Sequence, residues 1–259
     1  MDLGISGRKA IVCASSKGLG RGCAVALAKA GCSVVINGRD AAALEKTAGE
    51  IRAATGAEII AVAADVSTRE GQDALLAACP NPDILVNNNA GPPRKDMREL
   101  DRQAMINGVV QNMITPIELI QRVIDGMMER GFGRIVNITS SSVLLPIVGL
   151  DLSSGARAGL TAFVAGIARQ SVRKGVTINN MLPGKMDTDR LRAGLRWQAG
   201  QRGTSEDQEA DRQRSEVPAG RFGTPEEFGN ICAFLCSAHA GYLTGQNMLV
   251  DGGLKPTAF

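Results

Sequence analysis

The chain of 259 residues is poor in aromatic side chains, at 3%, with one Trp, one Tyr and one His. So few aromatics disfavour a base-stacking surface for single-stranded nucleic acid. Charge is nearly balanced, 29 basic against 26 acidic residues for a net +3, so no electrostatic grip on a polyanion is expected and nucleic acid is excluded as a partner. No apolar run approaches the roughly 18 residues of a membrane span, and the opening Met1-Asp2-Leu3-Gly4 has no signal-peptide pattern, so a cytoplasmic protein without a membrane partner is expected. The six cysteines, at 13, 23, 32, 79, 232 and 236, form no CxxC pair, which argues against disulfides and a structural metal site. Cys232 and Cys236 share a helix face and read as small core residues.

What the chain does have is 31 glycines, 44% hydrophobic residues and a regular alternation of short β-branched runs with longer amphipathic stretches. Strands are expected at Arg8 to Ala14, Ser33 to Asn37, Glu58 to Ala63, Asp83 to Asn87, Gly133 to Ser140, Val176 to Met181 and Asn247 to Val250, with helices such as Gly18 to Ala30 and Asp40 to Ala54 between them. Strand cores such as Ile59-Ile60-Ala61-Val62 are continuously apolar, as in strands covered on both faces. The fold class is therefore α/β: one doubly wound parallel sheet of about seven strands, in a single domain over 1–259. Only 187–221 breaks the rhythm. It is polar, has few apolar anchors besides Leu191, Leu195 and Trp197, and is expected to be an irregular, mobile substrate lid.

The first strand runs into Ala14-Ser15-Ser16-Lys17-Gly18-Leu19-Gly20 and then a helix, an arrangement that brings backbone N–H groups and a helix N-terminus to a pyrophosphate. Further motifs follow in order: Asp65-Val66, Asn88-Asn89-Ala90-Gly91, Ser140, Pro183-Gly184, Leu243-Thr244-Gly245-Gln246 and Val250-Asp251-Gly252-Gly253. On these residues the chain resembles the short-chain dehydrogenase/reductase family, close to its 3-oxoacyl-carrier-protein reductase-like members, almost end to end. The resemblance implies a Rossmann fold, a nicotinamide cofactor, a small-molecule substrate, and a homotetramer built on the long helices beginning near Arg102 and Leu152. It also implies that the glycine loop, Asp65, Val66, Asn88 to Gly91, Pro183, Gly184, Met186 and Thr188 line the cofactor. Two registers of the asparagine motif stay open, placing either Asn88 or Asn89 against the ribose.

The second strand ends in Asn37-Gly38-Arg39-Asp40. Arg39, with Lys17 from the glycine loop, supplies two cations where a 2′-phosphate would sit, so NADP(H) is expected over NAD(H). Asp40 is the counter-signal, and it reads as the N-cap of the next helix.

The resemblance implies a catalytic Ser, a Tyr thirteen residues on, a Lys four beyond that, and a supporting Asn. Ser140 and Asn112 match; Ser153 and Arg157 stand where Tyr and Lys are expected. A tyrosine of ordinary pKa about 10 is readily lowered by a lysine, whereas a serine hydroxyl titrates nearer bulk water, a handicap of roughly 7 kcal/mol. Arg157 keeps the charge and offers five donors, which suit it to hold the nicotinamide ribose of the cofactor or the developing alkoxide, but it cannot relay a proton. Asp151 reads as the N-cap of its helix, with proton donation as the rival role. His239 is expected to serve as a surface or helix-end group, and the Ser140-Ser141-Ser142 run either orients a carbonyl or satisfies a strand end. The function expected is an NADP(H)-dependent oxidoreductase acting on a carbonyl, alcohol or imine; the rival is a cofactor-binding homologue with little or no activity.

Overall fold

The computed structural model describes residues 1–256. Seven parallel strands, β1 (Lys9–Val12), β2 (Ser33–Gly38), β3 (Ile59–Ala63), β4 (Ile84–Asn87), β5 (Gly133–Ile138), β6 (Val176–Pro183) and β7 (Asn247–Val250), form one sheet in the order β3-β2-β1-β4-β5-β6-β7. Strand order reverses between β1 and β4, the crevice where such sheets place their ligands.

Alternate side chains of each strand enter separate cores. Ala10 and Val12 of β1 pack with α1 (Gly18–Lys29), α2 (Ala41–Thr55) and α9 (Pro225–Leu235), through Leu27, Leu44, Ile51 and Phe228. Ile11 packs on the other face with α3 (Arg69–Ala78), α5 (Thr115–Glu129) and α6 (Asp151–Ser171), through Leu75, Leu119, Val123, Leu160 and Val164. Two covered faces explain the continuously apolar central strands, whereas Ile59-Ile60-Ala61-Val62 is the edge strand β3, whose Ile60 is 37% exposed. All six cysteines are free and buried in these cores. Helix α1 crosses α9 at Gly22 and Gly229, where a Cβ on Gly22 would meet the Pro225 carbonyl oxygen at 2.1 Å. That close approach sets the helix behind the glycine loop.

Several sequence expectations are corrected. Strands β1 and β5 stop short, at Val12 and Ile138, so Ala14 and Ser140 lie in the loops beyond them. The region 187–221 is not irregular: it folds into α7 (Asp189–Arg202) and α8 (Glu206–Glu216). Arg, Glu, Gln and Ala are good helix formers, and caps replace the missing apolar stripe. Thr188 caps α7, and Ser205 with Gln208 forms a capping box on α8. Glu209 is 1% exposed and holds Arg202 at 3.1 Å and Arg212 at 2.6 Å, clamping the two helices together. Asp151 is not an N-cap; Leu150 occupies that position and no side chain caps α6. Leu119, Ile120 and Val123 of α5 and Leu160 and Val164 of α6 are core, while Ile114, just before α5, and Phe163 of α6 are exposed. Among the described residues no helix is long and apolar enough to cross a membrane.

Candidate active site

The glycine loop leaves β1 in a left-handed turn. Ala14, at φ 45°, is the only non-glycine residue of positive φ among those described, and Gly18 follows at φ 59°. Gly20 permits closest approach: a Cβ there would sit 2.5 Å from the Ala14 carbonyl oxygen. Ser15 is pinned, its Oγ donating to the Val12 carbonyl at 2.7 Å and accepting from Asn37 N at 2.9 Å. No side chain caps α1, whose first-turn N–H groups therefore remain available to an anion. The loop thus fits a pyrophosphate on its own geometry.

Around that loop, Asp40 caps α2 by accepting from Ala43 N at 3.0 Å, as the sequence predicts. Arg39 is exposed beside it. Asp65 accepts from Ser67 Oγ at 2.6 Å, and these bonds, aided by the Arg39 charge, hold its carboxyl below the ordinary range. Val66 is buried in the core. Lys17 pairs with Asp189 at 3.1 Å, both side chains being about three-quarters exposed. The N-terminus of α7 therefore meets the glycine loop, with Thr188 close to Gly18. Met186 is buried and bridges to Gly223, while Pro183 ends β6 and Gly184 packs on Asp251.

The two asparagines of the fourth-strand motif have different neighbours. Asn88 Nδ2 donates to the Ala14 carbonyl at 3.1 Å; Asn89 Nδ2 donates to the Gln111 carbonyl at 3.2 Å. Ala90 N closes on Asn89 Oδ1, and the Gly91 carbonyl accepts from Arg190 Nη1 at 2.9 Å.

Asn112 lies in a π-helical turn, Val110–Ile114, between α4 (Arg102–Val109) and α5. Such bulges concentrate at functional sites because they re-aim a side chain. Asn112 Nδ2 donates to Gly108, while its buried Oδ1 has no protein partner. That orphaned acceptor fits a water or a ribose hydroxyl.

Ser140 is extended just beyond β5, and its Oγ accepts from Ser142 N at 3.1 Å, which leaves the hydroxyl proton to donate outward. The Ser140 hydroxyl therefore caps the short turn Ser141–Val143, and Ser142 Oγ is buried without a partner. Ser153 is 4% exposed and accepts from Arg157 Nε at 3.3 Å; Arg157 Nη1 donates to the Ile138 carbonyl at 2.6 Å. Burial, then the charge of Arg190, pushes the Arg157 guanidinium down to about 10, still cationic at neutral pH. A small open pocket lies here, lined by Asn87, Asn88, Asn89, Gln111, Asn112, Thr115 and Arg157 among others. His239 is exposed, its Nε2 at 2.8 Å from the Asp2 carbonyl, and Tyr242 is fully exposed at the far end of the chain.

Sequence reading missed two features. Four asparagines in register donate one to the next across β4 to β7: Asn87 to Asn137 at 2.9 Å, Asn137 to Asn180 at 3.0 Å and Asn180 to Asn247 at 2.8 Å. Arg94 and Arg190 also join the loop after β4 to α7. Only an unusual asparagine at the same depth of four strands hinted at the first, and nothing local hinted at the second.

Comparison with known proteins is consistent with this geometry. Residues 13–255 match the family model described as enoyl-(acyl carrier protein) reductase. The chain is 32% identical over 257 residues to 3-oxoacyl-[acyl-carrier-protein] reductase FabG of Vibrio harveyi, covering 97% of this chain and 99% of that one. It is 34% identical to acetoacetyl-CoA reductase of Allochromatium vinosum, covering 95% and 98%. Among solved structures, L-sorbose reductase from Gluconobacter frateurii, complexed with NADPH and L-sorbose, superimposes with a TM-score of 0.93 at 28% identity, covering 99% of this chain and 100% of that one. YwfH, an NADPH dependent reductase involved in bacilysin biosynthesis, gives 0.91 at 28%, covering 97% and 100%.

Proposed function

The chain belongs to the short-chain dehydrogenase/reductase family, and from that premise we propose that it is an NADP(H)-dependent oxidoreductase of a small carbonyl, alcohol or imine substrate. The observation that carries this reading is the convergence of the uncapped glycine loop, Ser140, Asn112 and Arg157 on the crevice at the carboxyl ends of β1, β4 and β5. In reduction the carbonyl carbon gains a hydride and its oxygen a proton. NADPH, when bound, supplies that hydride.

The chain's own residues supply the rest. The free first-turn N–H groups of α1 hold the pyrophosphate, and Arg39 with Lys17 faces a 2′-phosphate. Asp65, Val66, the 88–91 segment, Pro183, Gly184, Met186 and Thr188 line the remaining cofactor surface. Ser140 donates its hydroxyl proton to the substrate oxygen as a hydrogen bond and polarises the carbonyl. Arg157 offsets the negative charge that develops there and orients Ser153. The proton passes through Ser153 or a water held by Asn112 Oδ1. Helices α7 and α8, over 187–221, cover the substrate as a lid hinged beside Lys17. The exposed Met105, Ile106, Ile114 and Phe163 of α4 to α6 form the apolar face of a homotetramer, which light scattering at micromolar concentration tests.

The rival, a cofactor-binding homologue without activity, is not favoured, since the relatives are reductases by name. The deciding experiment is NADPH consumption against a panel of ketones, imines and 3-oxoacyl thioesters, with calorimetric NADPH binding in parallel. Binding without turnover of any substrate overturns the enzyme reading; no binding overturns the cofactor reading.

A further inference from the structure

Two guanidinium groups, of Arg94 and Arg190, lie at α7, and a third, Arg157 on α6, stands close enough to feel the Arg190 charge, all without a carboxylate partner among the described residues. Arg190 Nη1 and Nη2 donate to the Gly91 and Pro92 carbonyls at 2.9 and 3.1 Å. Arg94 Nη1 donates to the Val148 carbonyl at 3.2 Å, and its guanidinium lies 5.8 Å from the Trp197 ring centroid. Residues 190, 194 and 197 share one face of α7, and the absence of a side chain at Gly194 lets Arg94 lie against the helix, with its Nε 3.8 Å from where a Cβ would stand. Arg157, 8% exposed, is the deepest of the three.

Among the described residues none of these arginines lies within 4.0 Å of an acidic group, although seventeen other ion pairs form. The acids beside them are engaged elsewhere: Asp187 with Arg192 at 3.1 Å and Asp189 with Lys17 at 3.1 Å. Each guanidinium offers five donors, and backbone carbonyls and Ser153 use only one or two of each. Their mutual proximity is unfavourable as it stands. Burial lowers all three, with Arg190 acting on Arg157 and Arg94 on Arg190. Arg157 is buried, Arg94 half-buried and Arg190 exposed, and like charges with spare planar donors graded in this way towards the crevice form a receptor for an oxyanion.

We propose that the substrate carries a carboxylate, seated against the forks of Arg94 and Arg190 with Arg157 between it and the carbonyl that is reduced. This rests on the reductase reading above and narrows its substrate to oxo acids or their hydroxy-acid products. A planar pair of oxygens matches a guanidinium fork. The same field stabilises the developing alkoxide, so the anion is attracted and the second negative charge tolerated.

The test compares short 2-, 3- and 4-oxo acids, each with its methyl ester, as substrates with NADPH. At least one acid is expected to exceed its ester by tenfold or more in kcat/KM, which is about 1.4 kcal/mol. In Arg190→Gln and in Arg94→Gln this acid-to-ester ratio is expected to collapse towards one, chiefly through KM. Arg196→Gln, on the outer part of α7 where Arg196 pairs with Glu206, should keep it. Esters or acyl thioesters reduced as well as the acids overturn the carboxylate site and leave the reductase reading standing. Should no substrate turn over, thermal melts decide the site alone: a shift produced by the oxo acids but not the esters, and lost in Arg190→Gln, supports it, and equal shifts overturn it.

Discussion

Arg157 Nε donates to Ser153 Oγ across 3.3 Å, one turn apart on α6, so the two side chains at the positions where Tyr and Lys were expected form one buried unit. The guanidinium is spent partly on the serine and partly on the Ile138 carbonyl. Such a pair holds charge well and moves a proton poorly.

With neutral ketones the wild type is therefore expected to be slow, and the double change Ser153→Tyr with Arg157→Lys to raise the rate about a hundredfold, some 2.7 kcal/mol. Each single change should do less, because a tyrosine without lysine keeps too high a pKa and a lysine without tyrosine has nothing to activate. NADPH consumption at saturating cofactor, with melts to check folding, measures this. Ordinary family rates in the wild type would refute it.

NADPH is expected to bind at least tenfold more tightly than NADH, and Arg39→Glu to abolish the preference. The Lys17–Asp189 pair competes for one of the two cations, so Asp189→Asn should strengthen NADPH binding up to about threefold and leave NADH unchanged. Calorimetric titration of both cofactors reads both effects; an unchanged ratio in Arg39→Glu would sink the assignment.

Glu209 is held down to about 2, first by its hydrogen bond from Arg212. Because the folded value lies below the unfolded one, its stabilising effect is complete above about pH 4.5 and is lost as pH falls through 2. Melts of wild type and Glu209→Gln should differ by several degrees at pH 7, with the gap closing between pH 4.5 and 2. A gap that persists at pH 2 would mean that packing, not charge, joins α7 to α8.

Asn137 both accepts from Asn87 and donates to Asn180 inside the sheet. Asn137→Ala leaves the Asn180 Oδ1 without its donor, while Asn87 Nδ2 keeps the Pro116 carbonyl, and should cost about 1–3 kcal/mol. Urea unfolding measures it, and a loss under 1 kcal/mol would show that the ladder contributes little.

The sequence by itself determined the element order, the doubly wound sheet, the glycine loop and the Asp40 cap, since each depends on local periodicity, turn chemistry or a side chain reaching its own backbone. It also placed Asn112, Ser140, Ser153 and Arg157 at fixed separations along the chain. Tertiary structure alone decided the rest. Helices α7 and α8 lacked an apolar stripe; their caps are local, but the Glu209 clamp, whose partners lie on both helices, is not. The asparagine ladder exists because parallel register aligns residues 87, 137, 180 and 247 at one depth of the sheet. The arginines at 94, 157 and 190 come near one another only because the loop after β4, α6 and α7 approach the same crevice, and their lack of acidic partners among the described residues is a property of that space rather than of any stretch of sequence.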